Sequence, residues 1–146
     1  MVIFSRYMRQ QDTQNLPMRY RISSRLFRLS ARTLIGMKLN DPTDAYRVVK
    51  RDLFDRLQIE RGDFSFSAEI SVKAWNAGSR IGEYPGKQRL RNVGRSSFVF
   101  RRMALPYVSV IMEGVSDRLK LRLTGLLGSL RGDEKAAKQH NASLPQ

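Results

Sequence analysis

Arginines are the residues of this sequence with the clearest capacity for chemistry. The segment RLRNVGRSSF, residues 89–98, places three of them within seven residues, directly after a stretch that predicts a β-strand. Four more recur at spacings of four, three and four: Arg21, Arg25, Arg28 and Arg32. A guanidinium stays charged and its planar fork matches the oxygens of a phosphate group. The pattern therefore indicates the binding of an anion.

The composition limits the classes of possible partner but does not identify which anion is bound. The 146 residues include 27 Lys and Arg against 13 Asp and Glu, a net charge of +14. Such a charge implies nucleic acid, an acidic membrane surface or a phosphorylated ligand as partner. The sequence has no cysteine and a single histidine, His140, in a polar segment. Disulfides and thiolate metal sites are excluded, and zinc or Ser-His-Asp catalysis is disfavoured.

The four evenly spaced arginines fall on a predicted helix over residues 17–35, with Gly36 as its stop. At about 100° per residue they form one stripe, and Ile22, Leu26, Leu29 and Thr33 form the neighbouring stripe. Arg19 and Ser23 lie roughly opposite the arginines. The arginine stripe is consistent with a solvated face, an anionic-membrane face or a nucleic-acid face.

The remaining pattern predicts an α/β fold. Strands are expected near residues 2–5, 45–49 and 80–84, with Ile81 and Tyr84 as apolar contacts, and helices near 51–57 and 66–76. After Phe98 we expect two apolar helical segments, interrupted by Pro106, Glu113 and Asp117, that lie on a surface. Disorder is expected from Arg131. The predicted domains are thus residues 1–98, 99–130 and 131–146. No stretch reaches the roughly 18 apolar residues of a membrane span.

The order of five motifs is more specific than any one of them. In sequence they are IFSRY, PMRYRISSRL, NDPTDAYRVVKRDLF, FSFSAEISVKAWNAGSRIGEYP and RLRNVGRSSF. The series resembles the second half of family 2 glycosyltransferases, closest to the polyprenyl-phosphate sugar synthases of the dolichol-phosphate mannose synthase type. The resemblance covers about residues 2–112. It implies the second half of a nucleotide-sugar glycosyltransferase sheet, followed by C-terminal surface helices.

The resemblance also implies parts that this chain does not match. In the family, the first half holds the nucleotide sugar and an acidic motif for a divalent metal, Mg or Mn in the complete enzyme. Asp41 and Asp44 have nearly the spacing of that motif, but they match the later DPT segment, so no metal ligand is assigned in this chain. We therefore expect half an enzyme, inactive alone: a truncated reading frame, a split gene or a cloned fragment.

The site residues follow from the resemblance, position by position. Arg6, Arg19, Ser23 and Arg91 match residues that contact the phosphate of the lipid acceptor. Glu69 matches a helix carboxylate that orients ligands or an arginine. Two segments depart from the family pattern. Asp44-Ala45-Tyr46-Arg47 stands where a GFR-like sequence is usual, and Ser96-Ser97 stands where a lysine is usual.

The expected partners are a polyprenyl-phosphate lipid, an anionic membrane surface contacted by the four evenly spaced arginines and, if the gene is split, a separate N-terminal half. The expected location is cytoplasmic and peripheral to the membrane. A small basic nucleic-acid-binding protein is the main alternative, although the aromatic residues do not interleave with the basic ones as a base-stacking surface requires. The third hypothesis for the function is a noncatalytic module that binds anionic membranes.

Overall fold

A computed structural model describes residues 1–9, 18–86 and 100–142, with side chains of the last range described from 104 to 125. The strands are β1 (Val2–Ser5), β2 (Arg47–Val48) and β3 (Gly82–Pro85). The helices are α1 (Met18–Ser30), continued by a π-helical turn (Ala31–Ile35), then α2 (Arg51–Leu57), α3 (Phe66–Asn76) and α4 (Phe100–Ala142). This is the mixed α/β class that the sequence predicted.

The three strands form one sheet in the order β2-β1-β3. β1 pairs antiparallel with β2 and parallel with β3, where Ser5 lies opposite Pro85. The carboxyl ends of β1 and β3 therefore meet at the same edge of the sheet. This edge is where open α/β proteins usually bind ligands.

The two faces of β1 differ because side chains alternate along a strand. Ile3 and Ser5 are fully buried, whereas Val2 and Phe4 are exposed. The ring of Phe4 contacts that of Tyr84 edge-on, with 6.0 Å between centroids. Ile81 packs against the core, whereas Tyr84 makes its apolar contact with Phe4 on the other face of the sheet and is 62% exposed.

Helix α1 ends as the sequence predicted, at Gly36. This residue adopts a left-handed conformation with φ of 76°, which glycine enters without strain, and its N–H donates to the carbonyl of Ala31. Phe27, Ala31 and Ile35 form the buried side of the helix. Pro17, where the predicted helix begins, lies outside the described residues.

Helix α3 is buried on nearly every side because two apolar clusters meet on it. In one cluster, Ala68 and Val72 pack with residues of β1, α1 and α4. In the other, Ile70 and Ala74 pack with Leu53 and Leu57 of α2. The predicted bounds of α2 and α3 are confirmed. A helix enclosed on opposite sides fixes the positions of its neighbours and of the polar groups it carries.

Helix α4 differs from the expectation of two segments and a disordered end. It is a single helix of 43 residues that includes Pro106 and continues past Arg131. Glu113 and Asp117 interrupt the apolar sequence but not the helix, because both carboxylates are about half exposed. Ala and Lys after residue 134 are strong helix formers, which favours the continuation.

The chain divides into two compact units, Met1–Val115 and Ser116–Gln146. The first unit contains the sheet and both apolar clusters. The second contains the rest of α4, in which Leu119, Leu121 and Leu123 are exposed. Within the described residues, no helix is long and apolar enough to cross a membrane.

Gly114 gives a test of the packing between α4 and α3. A Cβ atom added there would lie 2.4 Å from Cγ1 of Val72 and 2.8 Å from Cδ1 of Ile35. We expect Gly114→Ala to lower the free energy of unfolding by about 1–3 kcal/mol, the usual cost of overpacking. Urea denaturation followed by circular dichroism measures it. Gly62→Ala is the control, since nothing lies within 4 Å of its added Cβ; equal effects of the two substitutions would contradict this packing.

Candidate functional site

The carboxyl end of β1 carries a buried cluster of charges centred on Arg6. Its Nε lies 2.7 Å from Oδ2 of Asp41 and 2.8 Å from Oδ2 of Asp44, and its second guanidinium nitrogen donates to Oδ1 of Asp41 at 2.9 Å. The backbone N–H of Arg6 also donates to Asp41. The side chain of Asp41 is fully buried and that of Asp44 is 7% exposed. Two carboxylates thus share one guanidinium inside the protein.

These contacts set the ionisation of the cluster. Burial opposes the charged form of Arg6, but the hydrogen bond and the charge of Asp41, with the charge of Asp44, outweigh it and raise the pKa of Arg6. Burial raises the pKa of Asp44, and the charge of Arg6 only partly offsets this. Arg6 therefore stays charged because the two carboxylates accompany it.

The loop before β2 is fixed to the cluster at several points. Thr43 donates its hydroxyl to Oδ1 of Asp41, and Oδ1 of Asp44 accepts the N–H of Tyr46 at 2.7 Å. From β3, the carboxylate of Glu83 accepts the N–H groups of Asn40 and Asp41 at 2.8 Å and 3.0 Å. Strand β3 and the loop are therefore joined at the sheet edge where β1 ends.

A second arginine, Arg47, lies under the same loop. It donates to the hydroxyl of Ser71 at 2.9 Å and to the carbonyl of Pro42 at 3.3 Å, and it contacts the carbonyl of Asp44. Burial lowers the pKa of Arg47 to about 10, against the favourable charges of Asp44 and Asp41. Its Nε is buried and has no hydrogen-bond partner among the described residues. Arg47 ties the loop to helix α3.

Tyr107 of α4 adds a phenol to these surroundings. Its hydroxyl donates to the carbonyl of Phe64 at 2.9 Å. Burial, followed by the charge of Asp63, raises the pKa of Tyr107 to about 12, so the phenol is neutral at ordinary pH. Among the described residues, no group of three or more His, Cys, Asp or Glu side chains could hold a metal ion. In the cluster itself, the carboxylates of Asp41 and Asp44 are paired with the guanidinium of Arg6.

The four residues expected at an acceptor phosphate have different surroundings. Arg6 is engaged with Asp41 and Asp44, as described. The guanidinium of Arg19 lies 5.1 Å from the ring centroid of Tyr20, and the hydroxyl of Ser23 donates to the carbonyl of Tyr20 within α1. These contacts do not join Arg19 or Ser23 to the cluster. Arg91 lies outside the described residues.

The carboxylate of Glu69 is buried and held by neighbouring groups of the protein. Its side chain is 3% exposed, its carboxylate accepts the N–H groups of Glu60 and Arg61 at 3.1 Å, and Lys73 lies 2.8 Å away. Burial pushes the pKa of Glu69 upward, but the contacts with Lys73 and the two N–H groups outweigh it, so the pKa falls below its ordinary value. Glu69 holds the segment between α2 and α3.

The four evenly spaced arginines of α1 are not equivalent. Arg25 and Arg32 are exposed, and Arg21 is half-buried. Arg28 instead contacts the ring of Tyr7, with 5.7 Å from its Cζ to the centroid, and donates to the carbonyl of Asn40 at 3.4 Å. Arg28 is therefore the arginine of α1 that reaches the end of β1.

Sequence reasoning did not assign Asp41, Asp44, Arg47 or Arg28 to the site. A signal for the first pair was present: two aspartates flank a Pro-Thr turn, while an arginine ends the first strand. Buried aspartates need cationic partners, and an arginine at a strand end can supply them. No local signal separated Arg28 from Arg21, Arg25 and Arg32.

Comparison of this chain with protein-family models, with curated proteins and with solved structures gave no match. The fold defines a mixed α/β protein with a three-stranded sheet. Its site is a buried arginine–aspartate cluster at the carboxyl end of the central strand.

The contacts of the cluster predict that breaking a buried ion pair lowers the free energy of unfolding much more than breaking an exposed one. Asp41→Asn leaves Arg6 with one carboxylate, and we expect a loss of about 3–5 kcal/mol in the free energy of unfolding, the scale for breaking a buried ion pair. Asp55→Asn is the control, because Asp55 and Arg51 form an exposed pair on α2 and should contribute at most about 1 kcal/mol. Urea denaturation of both variants at neutral pH measures the two losses in the free energy of unfolding. Losses of similar size would mean that the cluster does not stabilise the fold.

Glu69 predicts a pH dependence of stability. Because its folded pKa is below the ordinary 4.5, its contribution is present above that pH and is lost as the pH falls through the folded pKa. We expect Glu69→Gln to be less stable than the native chain at pH 7 by about 1–3 kcal/mol. The gap should shrink as the pH falls from 4.5 through the lower folded pKa of Glu69, because the native carboxyl becomes protonated over that range.

Thermal unfolding between pH 7 and pH 3 measures this gap. Glu60→Gln is the matched control, since the Glu60 side chain is 85% exposed and lies 3.8 Å from the same Lys73. Its difference from the native chain should stay small throughout. A gap for Glu69→Gln that is constant with pH would refute the assigned contacts.

Proposed function

We propose that this chain is the acceptor side of a family 2 glycosyltransferase, which in complete form transfers a sugar from a nucleotide sugar to a polyprenyl phosphate. The observation that carries the proposal is the common edge at which β1 and β3 end. Arg6 follows β1 at this edge, and Arg91 follows β3 in the sequence. In the sequence, two of the arginines that the family resemblance assigns to the acceptor thus come after strands that are adjacent and parallel.

The chemistry of the proposed reaction suits arginine. An oxygen of the lipid phosphate forms a bond to the anomeric carbon, and the bond from that carbon to the nucleoside diphosphate breaks. The attacking phosphate is already anionic at neutral pH, so positioning and neutralisation of charge matter more than a general base. This agrees with a Glu69 that is enclosed by backbone N–H groups and Lys73.

The cluster limits what Arg6 can do in this proposal. Its Nε and one terminal nitrogen already donate to two carboxylates, and a phosphate placed against it would also meet their charge. We assign Arg6 the role of a positioning residue that holds the loop carrying Asp41 and Asp44. Direct contact with the acceptor phosphate is left to Arg91, Arg19 and Ser23.

The divalent metal of the family does not fit the described residues. Asp41 and Asp44 are the two carboxylates with nearly suitable spacing, but both are buried and paired with Arg6. No step of the proposed reaction is therefore routed through a metal in this chain. The residues that would hold the donor have no counterpart among its motifs, so we expect the chain alone to transfer no sugar.

Helix α1 supports a location at an anionic membrane. Its exposed residues include an apolar row, 49–67% exposed, that lies beside the arginine row: Met18, Ile22, Leu26 and Leu29. Apolar side chains next to cationic ones suit the boundary between lipid chains and headgroups. Because Arg28 is held at the end of β1, we assign the membrane-facing charges to Arg21, Arg25 and Arg32.

Vesicle flotation tests the proposal against its alternatives. Three vesicle types are compared: neutral phospholipid, the same lipid with a few per cent polyprenyl phosphate, and phosphatidylglycerol. We expect recovery to rise from the first type to the second, and Arg91→Ala to remove most of that rise. Recovery with phosphatidylglycerol should fall as salt increases, because exposed charges are screened.

Arg56→Ala is the matched control for Arg91→Ala. It removes the same charge from an exposed arginine of α2 whose described hydrogen bond is to its own helix. Equal losses from the two substitutions would reduce the effect to diffuse electrostatics and contradict an acceptor site. Salt-dependent binding of duplex DNA without any preference for polyprenyl phosphate would favour the nucleic-acid alternative.

A further inference from the structure

Tyr7 contacts two guanidinium groups at the carboxyl end of β1. Cζ of Arg6 lies 5.6 Å from the centroid of its ring and Cζ of Arg28 lies 5.7 Å from it. Such distances are typical of cation–π contacts. Through Tyr7 and the carbonyl of Asn40, Arg28 is brought from α1 to the sheet edge that holds the charged cluster.

Arg28 differs from Arg6 in what its donors contact. Arg6 donates to Asp41 and lies against Asp44, whereas no carboxylate of the described residues lies within 4.0 Å of Arg28. A guanidinium has five N–H donors in a fixed fork. For Arg28, the described chain provides one acceptor, the carbonyl of Asn40 at 3.4 Å. The described residues therefore use only a small part of the hydrogen-bonding capacity of Arg28.

The hydroxyl of Tyr7 is the second observation that points to a ligand. It is buried and, within the part of the chain that the structure describes, has no hydrogen-bond partner. A buried hydroxyl without a partner costs about 1–3 kcal/mol, so such a group usually has a partner in the functional state. An oxygen atom of a bound anion would provide that partner.

We propose that Arg28 and Tyr7 bind one phosphate monoester group at the carboxyl end of β1. The guanidinium supplies charge and a planar fork, and the phenol supplies one O–H donor. Cζ of Arg28 lies 5.7 Å from the centroid of the Tyr7 ring, and the proposal places one tetrahedral group beside both side chains. If the ligand is the lipid acceptor, the inference rests on the proposed function and makes Arg28 a direct ligand of that phosphate.

Two soluble probes separate the possible sources of the phosphate. Inorganic phosphate represents the free anion, and a short prenyl monophosphate represents the lipid, with its parent alcohol as the blank. Isothermal titration at fixed ionic strength gives the dissociation constants for the native chain, Arg28→Ala and Tyr7→Phe. We expect Arg28→Ala to weaken binding about tenfold or more and Tyr7→Phe to weaken it by a smaller factor, as for a charged and a neutral hydrogen bond.

Arg56→Ala is again the control, since Arg56 resembles Arg28 in donating to a backbone carbonyl, that of Asp52. It should change each dissociation constant less than about twofold, because distant exposed charges are screened. Arg28→Lys should recover part of the affinity, since it restores the charge but not the fork. Thermal unfolding of every variant shows that the comparison is made between folded chains.

Each result decides for or against the inference. Equal losses from Arg28→Ala and Arg56→Ala, or no binding of either probe by the native chain, would overturn it. Binding that needs Arg28 but is equally tight for inorganic phosphate and the prenyl compound would support it while counting against a lipid acceptor. Prenyl phosphate binding that needs Arg91 but not Arg28 would overturn it and leave the proposed function standing.

Discussion

The fold depends on the pairing of Arg6 with Asp41 and Asp44. A buried carboxylate is costly unless it is paired and hydrogen-bonded, and here two of them lie beside one guanidinium at the end of β1. The pairing determines where the loop of residues 40–46 lies, and this loop leads into β2. It therefore positions the antiparallel strand, the carbonyl groups that Arg47 contacts and the residues that Glu83 holds.

Helix α3 is the second constraint, because it joins the apolar core to the polar contacts. Its apolar residues contribute to both core clusters, while Ser71 contacts Arg47 and Glu69 holds the backbone of residues 60 and 61. A helix enclosed in this way leaves little freedom for the polar side chains that it carries. Within the described residues, the carboxylate of Glu69 holds two backbone N–H groups and Lys73, while the orienting role toward ligands or an arginine that the family resemblance implies stays a prediction.

The positive charge of the chain is divided between two kinds of surroundings. Arg6 and Arg47 lie inside the protein among aspartates and carbonyls, where they stabilise one conformation. Arg25 on α1 and Arg32 on the π-helical turn that follows are exposed near apolar side chains, where the proposed function places an anionic surface. Arg28 is intermediate: it lies at the buried cluster but has no carboxylate partner in the described chain. Because of this position, Arg28 is proposed to bind one specific anion, whereas the exposed arginines would attract anions only in a general way.

The sequence by itself determined the class of the fold, the bounds of α2 and α3, the stop of α1 at Gly36 and approximate strand positions. These features depend on local periodicity and on glycine conformation, which neighbouring residues specify. Only the tertiary structure decided that β1 lies between β2 and β3 and that Glu69 and Arg6 are enclosed by partners. It also separated Arg28 from three arginines of the same spacing. Such outcomes depend on contacts between residues far apart in the chain, as between Arg6 and Asp41, and no local pattern encodes which distant partner a charge meets.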